Sequence, residues 1–484
     1  MMMREDWIEV ELGDVLLLSS EKHKPEIIED LFYIGLEHIE KDTGRLTIDA
    51  TESTINTIKN KFYTNQILYG KLRPYLNKVY LATQSGVCST DILVFNVSEA
   101  TYSKYAFHFM LSRQFVNDMS ANTSGVNLPR VSTKYINSYK FPLAPLPEQR
   151  AIATKIEQLF SELDNGIANL KAAKSKLEIY RQAILKQAFE GELTKEWRKE
   201  NTDVVTAREL LEKISRKREI WILNEVNKGN KEAGRINSKI SKSEFCNPEG
   251  EILPESWLWT TFIRACHLVV DCHNKTATYA NEGIYLVRTT NVRNGNLNLN
   301  NEIKYVSEET YKYWSRRCFP ETGDILFTRE APMGEAAIIP ANTKVCMGQR
   351  MMLLRVFPEL IHPKYLLFNI LNSTFQQRLM KNAIGTGVKH LRVGDVENLI
   401  IPICSPQEQI QIVQEIETRL SVCDKLNESI DQSLEKAQAL RQSILKKAFE
   451  GKLLSQDELQ NCRQQPDWEP AAKLLERVKS KKSK

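Results

Sequence analysis

Two stretches of the chain repeat apolar residues at alternating steps of three and four. In the first they are Ile156, Leu159, Leu163, Gly166, Leu170, Ala173, Leu177, Tyr180 and Ile184. In the second they are Ile416, Cys423, Leu426, Ile430, Ala437, Leu440 and Ile444, with Leu420 and Leu434 slightly out of step. A 3.5-residue period marks a coiled-coil seam. No proline interrupts either run, and Gly191 and Gly451 stand where a helix would stop. Roughly 43 residues at ~1.5 Å each make a rod of ~65 Å. A seam that narrow and that long requires a partner helix, and the nearest candidate is the other rod. The competing reading is an ordinary pair of core helices, which the length and the strict period oppose.

The rods are copies of one another. PLPEQ opens the first and SPQEQ the second, and RQAILKQAFEGEL and RQSILKKAFEGKL close them. A constant offset of 260 carries Glu148 and Gln149 onto Glu408 and Gln409, Asp164 onto Asp424, Arg181 onto Arg441 and Gly191 onto Gly451. Ten of the thirteen closing residues are identical, so the chain is an internal duplication.

Short apolar runs between turn residues fill the rest. WIEVELGDVLLL, LFYIGL, QILYGKLRPYLNKVYLA and VCSTDILVF read as strands, with one helical stretch from about Lys104 to Asn117. WLWTTF, GIYLVRTTNV, GDILFTR, AAIIP and QRMMLLRVF repeat that plan, with a helical stretch after Pro363. Landmarks pair in order: Trp7 with Trp257, Gly70 with Gly323, Cys88 with Cys346, and Gly125-Val126 with Gly387-Val388. The rods diverged little and the domains much. TARELLEKISRK from Thr206 returns as PAAKLLERVKSKK from Pro470, so the duplication includes a short trailing helix. NKGNKEAGRINSKISKSE (227–244), poor in apolar residues, is expected to be a mobile loop. The closing KSKKSK reads as a solvated end rather than a phosphate-binding arm.

At 484 residues, several domains are expected. With 42% hydrophobic and 26% charged residues the chain has the composition of a soluble globular protein. It has no apolar run near the ~20 residues that span a bilayer, and MMMREDWIEV lacks the apolar core of a signal peptide. Nine scattered cysteines read as reduced thiols in a cytoplasm. A net charge of +5 permits an anionic partner without demanding one, so any basic face must be local.

Motifs of catalysis are missing. The chain has no GxxxxGK[ST] loop, no dinucleotide glycine fingerprint, no GxSxG and no HExxH. Asn247-Pro248-Glu249 is not the Asn/Asp-Pro-Pro-aromatic segment of a base methylase. Cys266-His267 and Cys272-His273 fit no common zinc spacing and read as buried thiols. The variable parts instead carry Arg, Lys, Asn and aromatic residues at turns. The first has Lys71, Arg73, Tyr75, Asn77 and Lys78, then Arg130 and Lys134; the second has Arg288, Asn291, Arg293 and Asn294, then Arg329, then Lys389, His390 and Arg392. Arg and Lys meet phosphates or guanine, and Asn pairs bidentately with adenine. Singly, each is an ordinary solvated side chain; their recurrence at matched places in both copies favours a DNA-binding site.

These rods, the GELTKEWR exit at 191–198, the LPESW lead-in at 253–257 and the strands GDILFTR and LRPYLNKV resemble the DNA-specificity subunit of type I restriction–modification systems, over nearly the whole chain. The resemblance implies an α+β fold: two mixed α/β target-recognition domains separated by two long helices, which form an antiparallel coiled coil with an internal pseudo-two-fold. On this chain that gives a first recognition domain at 1–145, the first long helix at 146–195 and a linker with a short helix at 196–252. A second recognition domain at 253–403, the second long helix at 404–453 and a tail with a short helix at 454–484 follow. The chain starts directly at Trp7, without the LPESW lead-in of the second domain. Each domain is expected to read one half of a bipartite, asymmetric double-stranded DNA site, and the helices to set the spacer. The resemblance implies no catalysis, cofactor or metal in this chain and no membrane. The implied partners are two methyltransferase subunits carrying S-adenosylmethionine and two motor-nuclease subunits using ATP and magnesium, in a cytoplasmic host-defence complex. The competing class is a coiled-coil adaptor that binds proteins at both ends and reads no DNA. A self-contained restriction or modification enzyme is a third, opposed by the missing motifs.

Overall fold

The computed structural model describes residues 4–24, 29–47, 52–229, 231–243, 247–273, 275–300, 302–385 and 387–482. The chain forms two compact units, Met1–Ala172 with Ile430–Lys484, and Ala173–Ser429. Each of the two long helices, Leu146–Phe189 and Pro406–Phe449, starts in one unit and ends in the other.

In the first unit the start of the first rod packs on the end of the second. Ile152, Ile156 and Phe160 share a core with Ile444, Leu445 and Ala448. Asp164 pairs with Arg441, whose guanidinium lies 4.4 Å from the Phe160 ring centre. The second unit repeats this with the rods exchanged: Ile184, Leu185 and Ala188 pack with Ile412, Val413 and Ile416, and Arg181 pairs with Asp424. In both units the two helix segments run in opposite senses, as an antiparallel pair must. Each rod stops on a glycine of positive φ, Gly191 at +81° and Gly451 at +70°. The next amide reaches back five residues, Glu192 N to Gln187 O at 2.9 Å and Lys452 N to Lys447 O at 2.8 Å, which satisfies carbonyls the helix end leaves open.

The seam keeps its expected phase at most positions, Ile156, Leu159, Leu163, Leu170, Ala173, Leu177 and Ile184 in the first rod and Ile416, Cys423, Ile430, Ala437 and Ile444 in the second, and departs from it at two positions in each rod. Gly166, Tyr180, Leu426 and Leu440 are exposed. Beside them Ile167 and Arg181 in the first rod, and Asn427 and Arg441 in the second, are partly covered. Gly166 has no side chain to bury, whereas Ile167 beside it has. Arg181 and Arg441 displace Tyr180 and Leu440 because each is held by an aspartate of the other rod. At its ends each rod buries a broader face, such as Ile152, Ala153 and Ile156, because a strand-rich domain packs there as well.

The two strand-rich domains share one frame. In the first unit, Leu16–Leu18, Ile92–Val97, Ile67–Gly70 and Val79–Leu81 form an antiparallel sheet in that order. In the second, Leu268–Asp271, Met351–Arg355, Ile325–Arg329 and Met333–Ile338 form the same sheet. Beside each lies a parallel contact, Ile34 with Cys88 and Leu286 with Cys346, so the cysteine landmark holds. The Trp landmark holds too. The Trp7 indole donates to Glu148 Oε2 at 2.9 Å, and the Trp257 indole to Glu408 Oε2 at 2.9 Å. The neighbouring Gln149 donates to the Ala100 and Ala144 carbonyls, and Gln409 to those of Leu360 and Cys404. The Glu-Gln dipeptide therefore stitches each domain to the start of its rod.

Two other landmarks move. Gly70 pairs with Ile92 and Thr328 with Met351, each the first residue of its strand, so the counterpart of Gly70 is Thr328. Gly323 matches Asn65, both left-handed and both donating back to a strand end, at Ile339 O and Ala82 O. Gly125 matches Gly385 rather than Gly387, because a Cβ on either would press on the carbonyl three residues on.

The expected single helix near Lys104–Asn117 is two, Ser103–Met110 and Arg113–Ala121. The break frees the Arg113 amide to reach Gln442 Oε1 at 2.8 Å; in the second copy the Ser373 amide reaches Gln182 Oε1 at 3.0 Å. In the linker, Ala207–Asn227 is helical and Lys231–Ser241 is a helix rather than a mobile loop. Ala233, Ile236 and Ile240 recur at helical steps on its covered side, and Lys239 pairs with Glu397 at 2.6 Å. The basic C-terminal tail continues the helix Ala471–Lys482, and its last two residues lie outside those described.

Candidate nucleic-acid interface

Three loops meet on each strand-rich domain. In the first, a turn at Leu36–His38 leads to residues up to Arg45, a second loop runs from Lys71 to Lys78, and a hairpin spans Thr123–Val131. Lys71 N donates to Asp91 O at 3.0 Å, Val131 N to Lys71 O at 3.1 Å, and Arg73 N to Pro129 O at 2.7 Å. These main-chain bonds place Lys71, Arg73 and Arg130 side by side. Arg130 grips Asp91 through Nε and Nη2 at 3.0 and 3.2 Å, and Lys71 Nζ lies 3.8 Å from the same carboxylate. Arg73 is exposed and left-handed at φ +51°, directly before Pro74. A non-glycine held in that region is strained, and such strain gathers at functional sites. Tyr75 and Lys134 are exposed nearby in sequence, and Val126 at the hairpin tip is 99% exposed.

The second domain builds the same junction. Arg329 N donates to Arg350 O at 2.8 Å, Leu391 N donates to Arg329 O at 3.1 Å, and Glu330 bridges to His390. Arg329 therefore stands where Lys71 does, His390 where Arg130 does, and left-handed Ala331, again before proline, where Arg73 does. Lys389 and Arg392 flank this loop, exposed.

Six of the expected site residues bond to the frame, two of them fully buried; one of the six is Arg329, whose Nη1 donates to Leu391 O at 3.1 Å. Asn77 is 1% exposed and donates to Asp42 Oδ1 at 3.1 Å and Leu111 O at 3.3 Å. Asn291 is 1% exposed, and its Oδ1 accepts from Arg288 N at 3.0 Å, capping the turn Thr289–Asn291. Neither can reach a base. Lys78 donates to the Leu36 carbonyl, and burial draws its amine below the usual lysine value. Arg293 donates from Nη1 to the carbonyls of Thr289 and Val292, at 2.7 and 2.6 Å, while the residue stays exposed, and Arg288 donates to Glu302 O at 2.5 Å. The 288–294 cluster also does not match 71–78. It matches the Gly35–His38 turn, where Gly35 N donates to His38 Nδ1 at 3.2 Å in the same way. Exposed Asn294, whose amide donates to Glu335 Oε2 at 2.6 Å, still lies on this loop. Sequence reading missed Glu330, the acidic neighbour of Arg329, and it missed Asp91 and Arg350, which lie some twenty residues from Lys71 and Arg329 along the chain.

Among the described residues no group of three His, Cys, Asp or Glu side chains is placed to hold a metal. Cys266 and Cys272 are buried. His267 stacks on Phe357 at 4.4 Å, and burial with Arg355 nearby pulls it down to about 4.

Residues 4–172 and 271–436 match the family model described as the type I restriction modification DNA specificity domain. The chain belongs to this family. It is 26% identical over 416 residues to the EcoBI specificity subunit of the type I restriction enzyme of Escherichia coli, covering 84% of this chain and 78% of that one. To the EcoDI specificity subunit of Escherichia coli it is 35% identical over 219 residues, 44% of this chain and about half (49%) of that relative. In fold it is similar to a chain from a type I R-M system solved for its complex assembly and conformational transition, with a TM-score of 0.66, 19% identity, and 94% of this chain and all (100%) of that one covered. The HsdS subunit from Thermoanaerobacter tengcongensis gives a TM-score of 0.54 at 19% identity, with 94% and 99% covered. The chain is thus a family member of α+β fold, with two recognition domains and a pair of long helices. Among the described residues no helix is long and apolar enough to cross a membrane.

Proposed function

We propose that this chain is the non-catalytic DNA-specificity subunit of a type I restriction–modification complex, and that each three-loop face reads one half of a bipartite, asymmetric site. The observation that carries this reading is one loop junction built twice by a duplicated chain with different side chains on it. Lys71, Arg73, Tyr75, Arg130 and Lys134 serve the first half-site. Arg329, Lys389, His390 and Arg392 serve the second, with Asn294 beside them. Arginine and lysine on exposed loops meet phosphates and guanine edges, and the differing loops make the half-sites differ.

The helix pair holds the two faces and sets the spacer. It also docks two methyltransferase subunits, and two motor-nuclease subunits complete the restriction complex in the cytoplasm. S-adenosylmethionine, ATP and magnesium belong to those partners. The relatives are named specificity subunits, and the catalytic activities lie outside this chain.

The test is to map methylated adenines in DNA from cells that express the chain with its modification partner. A single split sequence is expected. Lys71→Glu with Arg73→Glu should abolish its methylation while assembly with the partner persists. If binding to DNA by the assembled complex neither weakens with added salt nor responds to this charge reversal, the protein-only adaptor replaces this reading.

A further inference from the structure

We propose that one backbone position, held by Asp91 in the first recognition domain and by Arg350 in the second, makes the two half-sites different: Arg350 reads a base, and Asp91 positions the cations that do so in the other copy. This inference rests on the DNA-reading function proposed above.

The equivalence comes from the main chain. Asp91 O accepts from Lys71 N and Arg350 O from Arg329 N, at 3.0 and 2.8 Å. Each residue immediately precedes a central sheet strand, Ile92–Val97 or Met351–Arg355, so the sheet fixes its place beside the loop junction. The chemistry at that place is reversed. Asp91 is an acid on a face of cations. It accepts from Arg130 through both Nε and Nη2 and has Lys71 Nζ at 3.8 Å. A carboxylate repels DNA phosphate, so its contribution here is geometric: it holds two long, flexible cations in one arrangement.

In the second domain the cation itself stands there. Arg350 is left-handed at φ +65°, a conformation that a residue with a Cβ rarely adopts. Its side chain is 54% exposed, and Glu330 Oε2 meets its Nε at 3.2 Å. Glu330 is in turn bridged through the backbone to His390 of the hairpin loop. A guanidinium carries five donors in a fixed fork, and this pair engages one side of it. A half-exposed fork held at Nε by Glu330, at the junction that joins Arg329 to His390, suits the O6/N7 edge of guanine.

The experiment uses the full chain assembled with its modification partner, on DNA libraries randomised at each position of both half-sites. Arg350→Ala is expected to lower discrimination roughly tenfold or more at one base pair of the second half-site and to leave the first unchanged. Asp91→Asn should blur a position of the first half-site only. A loss that is uniform over all sequences with a shallower salt dependence makes Arg350 a phosphate anchor and overturns the proposal, as does unchanged selectivity. Should Arg350→Ala fail to assemble, Arg350→Lys keeps the charge without the fork. Its selectivity must then shift at the same base pair, and wild-type selectivity overturns the proposal. The charge reversal at Lys71 and Arg73, measured in parallel, separates the two readings. If it abolishes binding while the Arg350 variants read like wild type, this inference alone falls; if no variant matters, the DNA-reading function falls with it.

Discussion

Glu148 and Glu408 hold the same place in the two copies, both buried and both accepting from a tryptophan indole at 2.9 Å. Their surroundings differ. Glu408 also takes the Thr194 hydroxyl at 2.8 Å and the Arg198 guanidinium, from the segment that leaves the first rod. Glu148 Oε1 is buried with no hydrogen-bond partner among the described residues. The duplication preserved the indole–carboxylate anchor because it fixes the domain on the rod, whereas the cation around it was free to change. The loops follow the same rule. The Lys71/Arg329 junction keeps its backbone bonds, while Asp91 gives way to Arg350 and Arg73 to Ala331. Common frame and separate chemistry give a chain whose halves can be broken separately.

The largest effect should come from exchanging residues 1–145 for the matching domain of a relative. One half-site should change completely and the other remain, as methylation mapping would report. Simultaneous change of both halves would refute independent recognition. Next in size, Arg198→Ala strips the cation from a buried carboxylate and should cost about 3 kcal/mol in the second unit. Glu148→Gln in the first unit should cost under ~1 kcal/mol, since the amide oxygen still accepts from Trp7. Urea unfolding with hydrogen exchange resolved by unit would measure both, and equal costs would erase the contrast between the anchors.

His108 offers a pH-dependent form of the comparison. It is 4% exposed, lies edge-on to Phe160, and is pulled down to about 3 by burial and by the nearby Lys104 and Arg441. Its register mate in the second copy is Phe368. Because the folded value lies below the unfolded one, the unfolded chain binds the proton first. The stability linked to His108 is complete above its ordinary value near 6.5 and is lost as pH falls from there toward about 3. His108→Phe should therefore flatten the acid loss of the first unit, by about 2 kcal/mol at pH 5. Thermal melts from pH 7 to 4.5 test this, and parallel curves for wild type and variant would contradict it. The smallest difference concerns the paired seam aspartates. Asp164, 26% exposed, holds both Arg45 and Arg441, while Asp424, 67% exposed, is paired with Arg181. Asp164→Asn should cost about 1 kcal/mol and Asp424→Asn a few tenths, by chemical denaturation. The reverse order would show that Arg45 adds nothing.

The amino-acid sequence by itself determined the duplication, the two rods, their glycine stops and the matched Trp and Cys landmarks. These are periodic or repeated signals carried by neighbouring residues, and helix periodicity is a local property of the chain. The sequence also exposed the basic loops as candidates. Only the tertiary structure decided which of those residues are buried or bonded into the frame. Asn77 and Asn291 carry the same side chain as a base-reading asparagine, and burial under a turn is invisible in the sequence. Asp91 and Arg350 escaped notice because each joins its cluster through a cross-strand hydrogen bond to a residue some twenty positions away, Lys71 or Arg329. The local steps from Tyr180 to Arg181 and from Leu440 to Arg441 likewise depended on those arginines finding aspartates on the opposite rod, and the pairing of remote residues is set by sheet register and helix phase rather than by local pattern.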